Sequence, residues 1–476
     1  METFITAAGK EKRSGETGTL SELTLSSYSK KGYATADKPK AIEVIGGVKG
    51  DVILAKLLGR VKKRTQAQIL EVITPSAERC DPRCSHVPIC GGCKWQQVEY
   101  AAQLIEKKQL VEALFPGHEV GSVIGCQNPW HYRSKMEFTF SQSREGEKFL
   151  GLMQSSGRFR VENIQECFIA PTWMSLVLNK VRTWWLNTDL NAFTPHKGEG
   201  LFRTLTMRWA RGTDAKMVFL TIHGVASDHL TKSHLKEFAE AAQFDDKTSV
   251  FLVIQHAHKG EATKFSEMHL AGPSAMEEKL LTQKFTLSPR AFFQPNHQMA
   301  ERMFGDLIET VKQLGAKKVL DLYCGIGTIG ILLAPYVQQV IGVELCSHAI
   351  CDAKETIEES GLENVQVFCQ DAHQFLKEIE GLFKPDLVVV DPPRSGLGIQ
   401  AIEDLRTLKP RAIVYVSCNP QTQAEDIQRL DEYEILSIQP YDQFPHTPHV
   451  ENIIVLIKKI PIRTFKQLDL AGASQV

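Results

Sequence analysis

Cys418 stands in Ser417-Cys418-Asn419-Pro420, directly after the apolar run Ala412–Val416. A thiol at the mouth of a parallel sheet is placed to act as a nucleophile, although most cysteines in such sheets are small core hydrophobes. Phe444-Pro445-His446-Thr447-Pro448-His449-Val450-Glu451 precedes the last apolar run, Asn452–Ile457, and makes Glu451 a candidate proton acceptor. Its two histidines lack a convincing third ligand for a metal. Asp391-Pro392-Pro393-Arg394 follows the run Leu387–Val390, and the two prolines fix a rigid exit loop. Methyltransferases that act on the amine of adenine carry an aromatic residue after such a Pro-Pro; Arg394 in that place disfavours an exocyclic amine as target.

A fourth motif names the cofactor class. Gly325, Gly327 and Gly330 satisfy G-x-G-x-x-G between the run Lys318–Leu322 and a helical segment, and Glu344 ends the next apolar run, where a carboxylate can accept from ribose hydroxyls. A nucleoside cofactor follows. Asp321, just before the turn, would repel a pyrophosphate but can face the sulfonium or amino group of S-adenosylmethionine, which is therefore preferred over a dinucleotide. The fifth motif is Cys84-x5-Cys90-Gly91-Gly92-Cys93, with Cys80 just upstream. Three thiols so close together signal a metal, and the glycines let backbone N–H groups approach it. Cys80, Cys126 or Cys167 is available as a fourth ligand, and thiolates serve zinc or iron-sulfur alike.

The elements around these motifs change along the chain. Residues 1–17 are polar and aperiodic, with disorder expected. From Leu20 to Thr74 five short strand-like segments, including Ala41–Gly46, Asp51–Leu58 and Gln66–Thr74, fit a small OB-like barrel over residues 18–75. A cysteine loop and an amphipathic helix, Val98–Phe115, follow. Residues 76–285 read as a mixed α+β region, with strands at Ser134–Ser141, Thr204–Trp209, Met217–His223 and Ser249–Gln255 and one interrupting helix, Thr231–Ala242. From residue 286 to 459 helices alternate with apolar strands, which predicts a doubly wound, largely parallel α/β sheet whose ligands lie at the strands' carboxyl ends. Residues 460–476 form a tail.

The chain has 476 residues, 43% hydrophobic and 23% charged, a composition that excludes wholesale disorder, collagen-like repeats and a disulfide miniprotein. The formal net charge of -1 hides a segregation: Met1–Arg79 holds 14 Lys+Arg against 9 Asp+Glu, a net of +5, so the remainder carries -6. The basic segment, with its cluster Lys62-Lys63-Arg64, suits phosphates. No apolar stretch approaches a membrane span and no signal-peptide core is present, so a cytoplasmic protein with reduced thiols is expected, with no membrane contact.

Taken together, these motifs resemble the RNA uracil-C5 methyltransferases over most of the chain. Ser288-Pro289-Arg290-Ala291-Phe292-Phe293-Gln294-Pro295-Asn296 resembles the segment that enters the family's catalytic domain, and the four motifs above follow in the family's order. Thr328 replaces a more usual Asn, and Pro295 a more usual aliphatic residue. The resemblance implies a Rossmann-like methyltransferase domain that binds S-adenosylmethionine through Gln294, Tyr323, Thr328, Glu344, Asp371 and Asp391. It implies Cys418 as nucleophile and Glu451 as base. The cysteine loop is similar to that of the branch with a 4Fe-4S cluster, which implies Cys84, Cys90, Cys93 and Cys167 as ligands and leaves Cys80 spare. Residues 18–75 resemble the TRAM domain, an RNA-binding module. In this family the helix after the cysteine loop packs on the catalytic domain.

The combination points to 23S ribosomal RNA of the large subunit as partner, with transfer RNA as the alternative and no obligate protein partner. An NAD-dependent oxidoreductase would explain the glycine turn but leaves Cys418 and Glu451 without a task. A non-catalytic RNA-binding protein would not need a thiol at a strand end.

Overall fold

The computed structural model describes residues 19–36, 42–61, 64–155, 160–224, 230–257, 263–379 and 381–459. The expected disordered start, Lys62-Lys63 of the basic cluster and the tail beyond 459 lie outside the described residues. Six strands form the first sheet: β1 (Leu20–Thr24), β2 (Ser27–Tyr28), β3 (Ala34–Ala36), β4 (Ile42–Ile45), β5 (Val52–Val61) and β6 (Arg64–Thr74), in the order β1-β5-β6-β4-β3-β2. That is one strand more than expected, because β2 and β3 are too short to show a period. Register breaks along β5 and β6 bend this long hairpin over a small core of Leu23, Val44, Ile53, Ala55 and Ala67.

The helix α1 (Tyr100–Glu112) leaves this sheet, and its Val111, with Phe115 and Val120, is buried in the core of the C-terminal sheet. A second sheet follows, built from β7 (Lys135–Gln142), β8 (Lys148–Met153), β9 (Val161–Glu162), β10 (Phe202–Ala210), β11 (Ala215–His223), β12 (Thr248–His256) and β13 (Lys264–Ala271), in the order β13-β12-β11-β10-β7-β8-β9. Two helices accompany it, α2 (Thr172–Leu186) and α3 (Lys232–Ala242). Only α3, capped by Thr231, was expected. α2 is rich in tryptophan and β-branched residues and buries Trp173, Met174, Val177, Leu178, Val181, Trp184 and Trp185, so no broad polar face betrays its period. The hairpin β14 (Met276–Leu280) and β15 (Gln283–Leu287) leads out.

The C-terminal sheet combines β16 (Lys318–Leu322), β17 (Gln339–Glu344), β18 (Val365–Cys369), β19 (Leu387–Val390), β20 (Ala412–Ser417), β21 (Tyr433–Tyr441) and β22 (Glu451–Lys458), in the order β18-β17-β16-β19-β20-β22-β21. The first five strands in that order are parallel, and β22 and β21 are antiparallel additions. Helices α4 (His297–Leu314), α5 (Thr328–Leu333), α6 (Ser347–Glu359), α7 (Ala372–Glu378), α8 (Gly398–Leu408) and α9 (Pro420–Ile427) cover it. Alternate strand residues feed opposite faces: Val319, Val389 and Val414 join one core, Leu320, Val388 and Ile413 the other. The order reverses between β16 and β19, the place where open α/β sheets bind ligands. No helix among the described residues is long and apolar enough to cross a membrane.

Candidate active site

Strand register brings Cys418 and Glu451 together. Ser417 pairs with Asn452 across the antiparallel β20–β22 ladder, so the residue after one and the residue before the other are opposed at the sheet's edge. Glu451 is buried, and burial raises its carboxyl well above the usual range; Asp391 raises it further and Arg394 opposes both. Cys418 is half-buried. Burial and Glu451 push its thiol up, while the Arg394 guanidinium, hydrogen-bonded to it, pulls it down. The Arg394 carbonyl is fixed in turn by Asn419 Nδ2 at 2.9 Å and Thr422 Oγ1 at 3.3 Å. Arg394 had been read only as evidence against an amine target; its place in the rigid Pro-Pro exit loop was the available signal for a role beside the thiol.

Asp391 follows β19 next to the β16 end, where its N–H donates to Leu322 O at 3.4 Å, and its carboxyl is pushed up to about 7 by burial. Two buried carboxyls raised above the usual carboxylate range thus stand beside a thiol and one guanidinium, an arrangement in which a carboxyl can hold or take up a proton.

The glycine turn lies on the neighbouring strand. Tyr323, Gly325 and Gly327 all take positive φ, of 62°, 57° and 75°. A Cβ on Gly325 would meet nothing within 4 Å, which leaves an open cradle beside the backbone. Glu344 is held at this cradle by accepting from Gly325 N–H at 3.2 Å and Cys346 N–H at 2.8 Å. Thr328 opens α5. Asp371 caps α7, accepting from His373 and Gln374 N–H, and its charge acts on the Tyr323 hydroxyl. Gln294 is buried, and its Oε1 accepts from Gln443 Nε2 at 3.0 Å.

Asp321 does not face a ligand. It is fully buried under the turn, its Oδ2 accepts from Gly330 N–H at 2.9 Å, its Oδ1 has no partner among the described residues, and burial pushes its carboxyl up to about 8. A carboxyl buried beneath the turn and bonded to it presents no charge to the cofactor, so Asp321 gives no preference for a sulfonium over a pyrophosphate.

The base-carrying loop is clamped from the N-terminal side. Asp442 and Lys107 of α1 form a fully buried ion pair, and Tyr100 Oη donates to Asp442 Oδ2 at 2.7 Å. His446, at φ 65°, donates its N–H to Gln103 Oε1 at 2.9 Å, and its carbonyl accepts from both Lys94 and Trp95 N–H at 3.0 Å.

Cys84, Cys90, Cys93 and Cys167 are buried, free of disulfides and close enough for their charges to act on one another. Backbone N–H groups reach three of the sulfurs: His86 and Val87 at Cys84, Gly92 at Cys90, Ile169 and Ala170 at Cys167. Cys93 has the Gln96 side chain. Cys80 and Cys126 are engaged elsewhere, donating to Gln96 O at 3.4 Å and Asn128 O at 3.1 Å. Among the described residues no group of three or more His, Cys, Asp or Glu closes on a point where a single metal ion would sit. A cavity of about 590 Å³ between α6 and β18 lies away from Cys418 and Glu451.

Residues 253–459 match the family model described as tRNA (Uracil-5-)-methyltransferase. An uncharacterized RNA methyltransferase of Protochlamydia amoebophila is 40% identical over 439 residues, 87% of this chain and 99% of the relative. One from Caldanaerobacter subterraneus is 34% identical over 440 residues, 90% of this chain and 96% of its own. Among solved structures, the Pyrococcus abyssi tRNA (uracil-54, C5)-methyltransferase in complex with S-adenosyl-L-homocysteine is similar with a TM-score of 0.72 at 25% identity, over 92% of this chain and all of that one. This chain belongs to the tRNA (uracil-5-)-methyltransferase-type family of RNA methyltransferases.

Proposed function

We propose that the protein transfers a methyl group from S-adenosylmethionine to C5 of a uridine in RNA through a covalent Cys418 adduct. The observation that carries this reading is the meeting of Cys418, Arg394, Asp391 and Glu451 at one sheet edge. Uracil C5 is a poor nucleophile, and the pairing of a thiol with a base answers that problem. The Cys418 sulfur adds to C6, and its electron pair moves into the ring as an enolate. S-Adenosylmethionine, when bound, supplies an electrophilic sulfonium methyl for C5. Glu451 takes the C5 proton, the C5–C6 double bond re-forms, and the C6–S bond breaks to return the Cys418 thiolate. Arg394 favours the anionic sulfur at both ends of this cycle. The uridine must leave its stack to reach the site.

The residues present fit the donor. The open cradle at Gly325 admits a close ligand, Glu344 stands at the end of the second strand for ribose hydroxyls, Tyr323 and Thr328 belong to the turn, Asp371 and Asp391 follow the ends of β18 and β19, and Gln294 is held by Gln443 beyond β21. The four-cysteine group fits a 4Fe-4S cluster. A cube binds thiolates at its corners rather than around one atom, and N–H groups directed at sulfur are what such ligands use. Cys84, Cys90, Cys93 and Cys167 hold it, in a structural role. The first sheet acts as an OB-like, TRAM-type RNA-binding barrel.

For the RNA itself the reading is 23S ribosomal RNA, from the presence of both the barrel and the cysteine loop. A transfer-RNA reading has its own support, since the similar Pyrococcus enzyme matches along its whole length. Mapping 5-methyluridine in both RNA classes from cells with and without the gene separates the two. Incubation of purified protein with labelled donor and unmodified RNA tests the reaction itself, and no 5-methyluridine in either RNA sinks it.

A further inference from the structure

The turn between β2 and β3 rests on the catalytic loops. Gly32, at φ 80°, packs so tightly on Pro448 that a Cβ would lie 2.6 Å from the proline Cγ. Its carbonyl accepts Trp95 Nε1–H at 2.8 Å. Lys30 Nζ donates to Gln421 Oε1 at 3.3 Å, in the helix that starts just after Cys418. Lys94 Nζ donates to Lys31 O at 2.8 Å and stands 4.6 Å from the centroid of the Tyr33 ring. Pro448 precedes Glu451 in its loop, and Lys94 is fastened to His446 of that loop by its own N–H. A segment near residue 30 therefore borders the mouth formed by residues beyond 390.

Three lysines border this mouth: Lys30 reaches Gln421, Lys31 acts on Lys94, and Lys94 and Arg394 both act on His449. Among the described residues, Lys30, Lys31 and Lys94 have no ion pair with a carboxylate; Glu43 acts on Lys94 only at longer range. Burial and then Lys31 lower the Lys94 ammonium, and burial, Arg394 and Lys94 together drive His449 down to about 4. Like charges drawn together repel, and an anion seated among them removes that cost. A nucleotide turned out of its stack needs its backbone held on either side while its base enters the site, and phosphates are what an RNA offers at that distance. Lysine ammonium groups bind them as point charges.

Resting on the uridine-methylation reading, we infer that the Lys30-Lys31-Gly32 turn completes the catalytic mouth, and that Lys30, Lys31 and Lys94 hold the backbone phosphates flanking the uridine that enters it. The N-terminal sheet is then part of the active centre and not a remote anchor. The carboxylate of the methyl donor is the other anion within the chemistry of this site, and the experiment separates it from phosphate.

Lys30 and Lys31 are exposed, so the double variant Lys30→Ala/Lys31→Ala keeps the fold. The full chain is titrated with a fluorescein-labelled stem-loop transcript carrying uridines in its loop, over a series of salt concentrations. Each lost phosphate contact flattens the slope of log K against log salt by about 0.7–0.9, so the double variant should lose about 1.5. Lys94→Gln should lose about half of that, while affinity for S-adenosylhomocysteine stays at the wild-type value in both. An unchanged slope overturns the inference, and weaker cofactor binding with an unchanged slope assigns the lysines to the donor carboxylate instead. Wild-type protein that binds the transcript yet makes no 5-methyluridine sinks the methylation reading alone, because the slope comparison is still read. Wild-type protein that binds no transcript overturns both.

Discussion

Two groups of cysteines in this chain have opposite surroundings. Cys418 is single, half-buried at the carboxyl edge of a sheet, bonded to a guanidinium and opposed by two carboxyls. Cys84, Cys90, Cys93 and Cys167 are buried together, face backbone N–H groups and one another, and meet no cation as directly. A lone thiol beside a positive charge gains thiolate and stays reachable, which suits a nucleophile. Four thiols that would repel one another as thiolates need something positive between them to stay together in that form, which suits ligands. The chemistry of a cysteine is thus set by its neighbours, and the two groups should respond differently to loss of the thiol.

The largest effect is expected at Cys418. Cys418→Ala should cut methyl transfer by about 10⁴-fold or more and abolish the covalent adduct with 5-fluorouridine RNA, while iron content stays at the wild-type level. Cys90→Ser should do the reverse: iron per chain and the visible absorbance of the cluster fall, and the cofactor site keeps its affinity for S-adenosylhomocysteine. A Cys90→Ser protein that retains its iron, or a Cys418→Ala protein that still forms the adduct, breaks the contrast.

Next comes the base. Glu451→Gln should slow turnover by about 10²–10⁴-fold, but addition and methylation precede the proton's departure. The methylated enzyme–RNA adduct should therefore accumulate on a denaturing gel. If adduct and product fall together, Glu451 acts earlier than the proposed step. A smaller effect is expected at Arg394. Because Arg394 lowers a thiol that burial raises, alkylation of Cys418 should grow with pH as thiolate appears, and Arg394→Gln should move that curve to higher pH. A curve that does not move removes the guanidinium from the account of what makes Cys418 different.

Much of this site was legible because its residues sit at ends of strands whose apolar runs are unmistakable. β16, β17, β19 and β20 begin or end where their apolar runs do, and the glycine turn, Asp391 and Cys418 follow β16, β19 and β20 directly. Distance in sequence hid the rest. The clamp of Lys107 on Asp442 and the seat of Gly32 on Pro448 join segments hundreds of residues apart, and no local pattern records such a contact. Asp321 was misread for a related reason: a sequence shows that an acid precedes the turn, but not that its carboxyl is buried beneath it. The helix α2 keeps only a narrow exposed stripe, Thr172, Lys180 and Thr183 interrupted by Leu176, beside a wide apolar face, so its period is easily missed.

The smallest effect sharpens the comparison within the cysteine loop itself. Gly91 and Gly92 are adjacent, and the sequence assigns both the same task, letting backbone N–H groups approach a bound metal. Gly92 donates its N–H to Cys90 Sγ at 3.4 Å, yet a Cβ there meets the same sulfur at 3.5 Å and Leu152 at 3.7 Å, ordinary contacts that need no movement. A Cβ on Gly91 would lie 2.8 Å from the carbonyl oxygen of Met153, whose place is fixed by accepting the Gly91 N–H at 2.8 Å. Backbone cannot yield as a side chain does. Gly91→Ala should therefore cost about 1–3 kcal/mol in thermal or denaturant unfolding and loosen the loop's hold on iron. Gly92→Ala should remain within about 0.5 kcal/mol of wild type with its iron intact. Equal losses at both positions would mean that the close approach of Gly91 to β8 is not what distinguishes the two glycines.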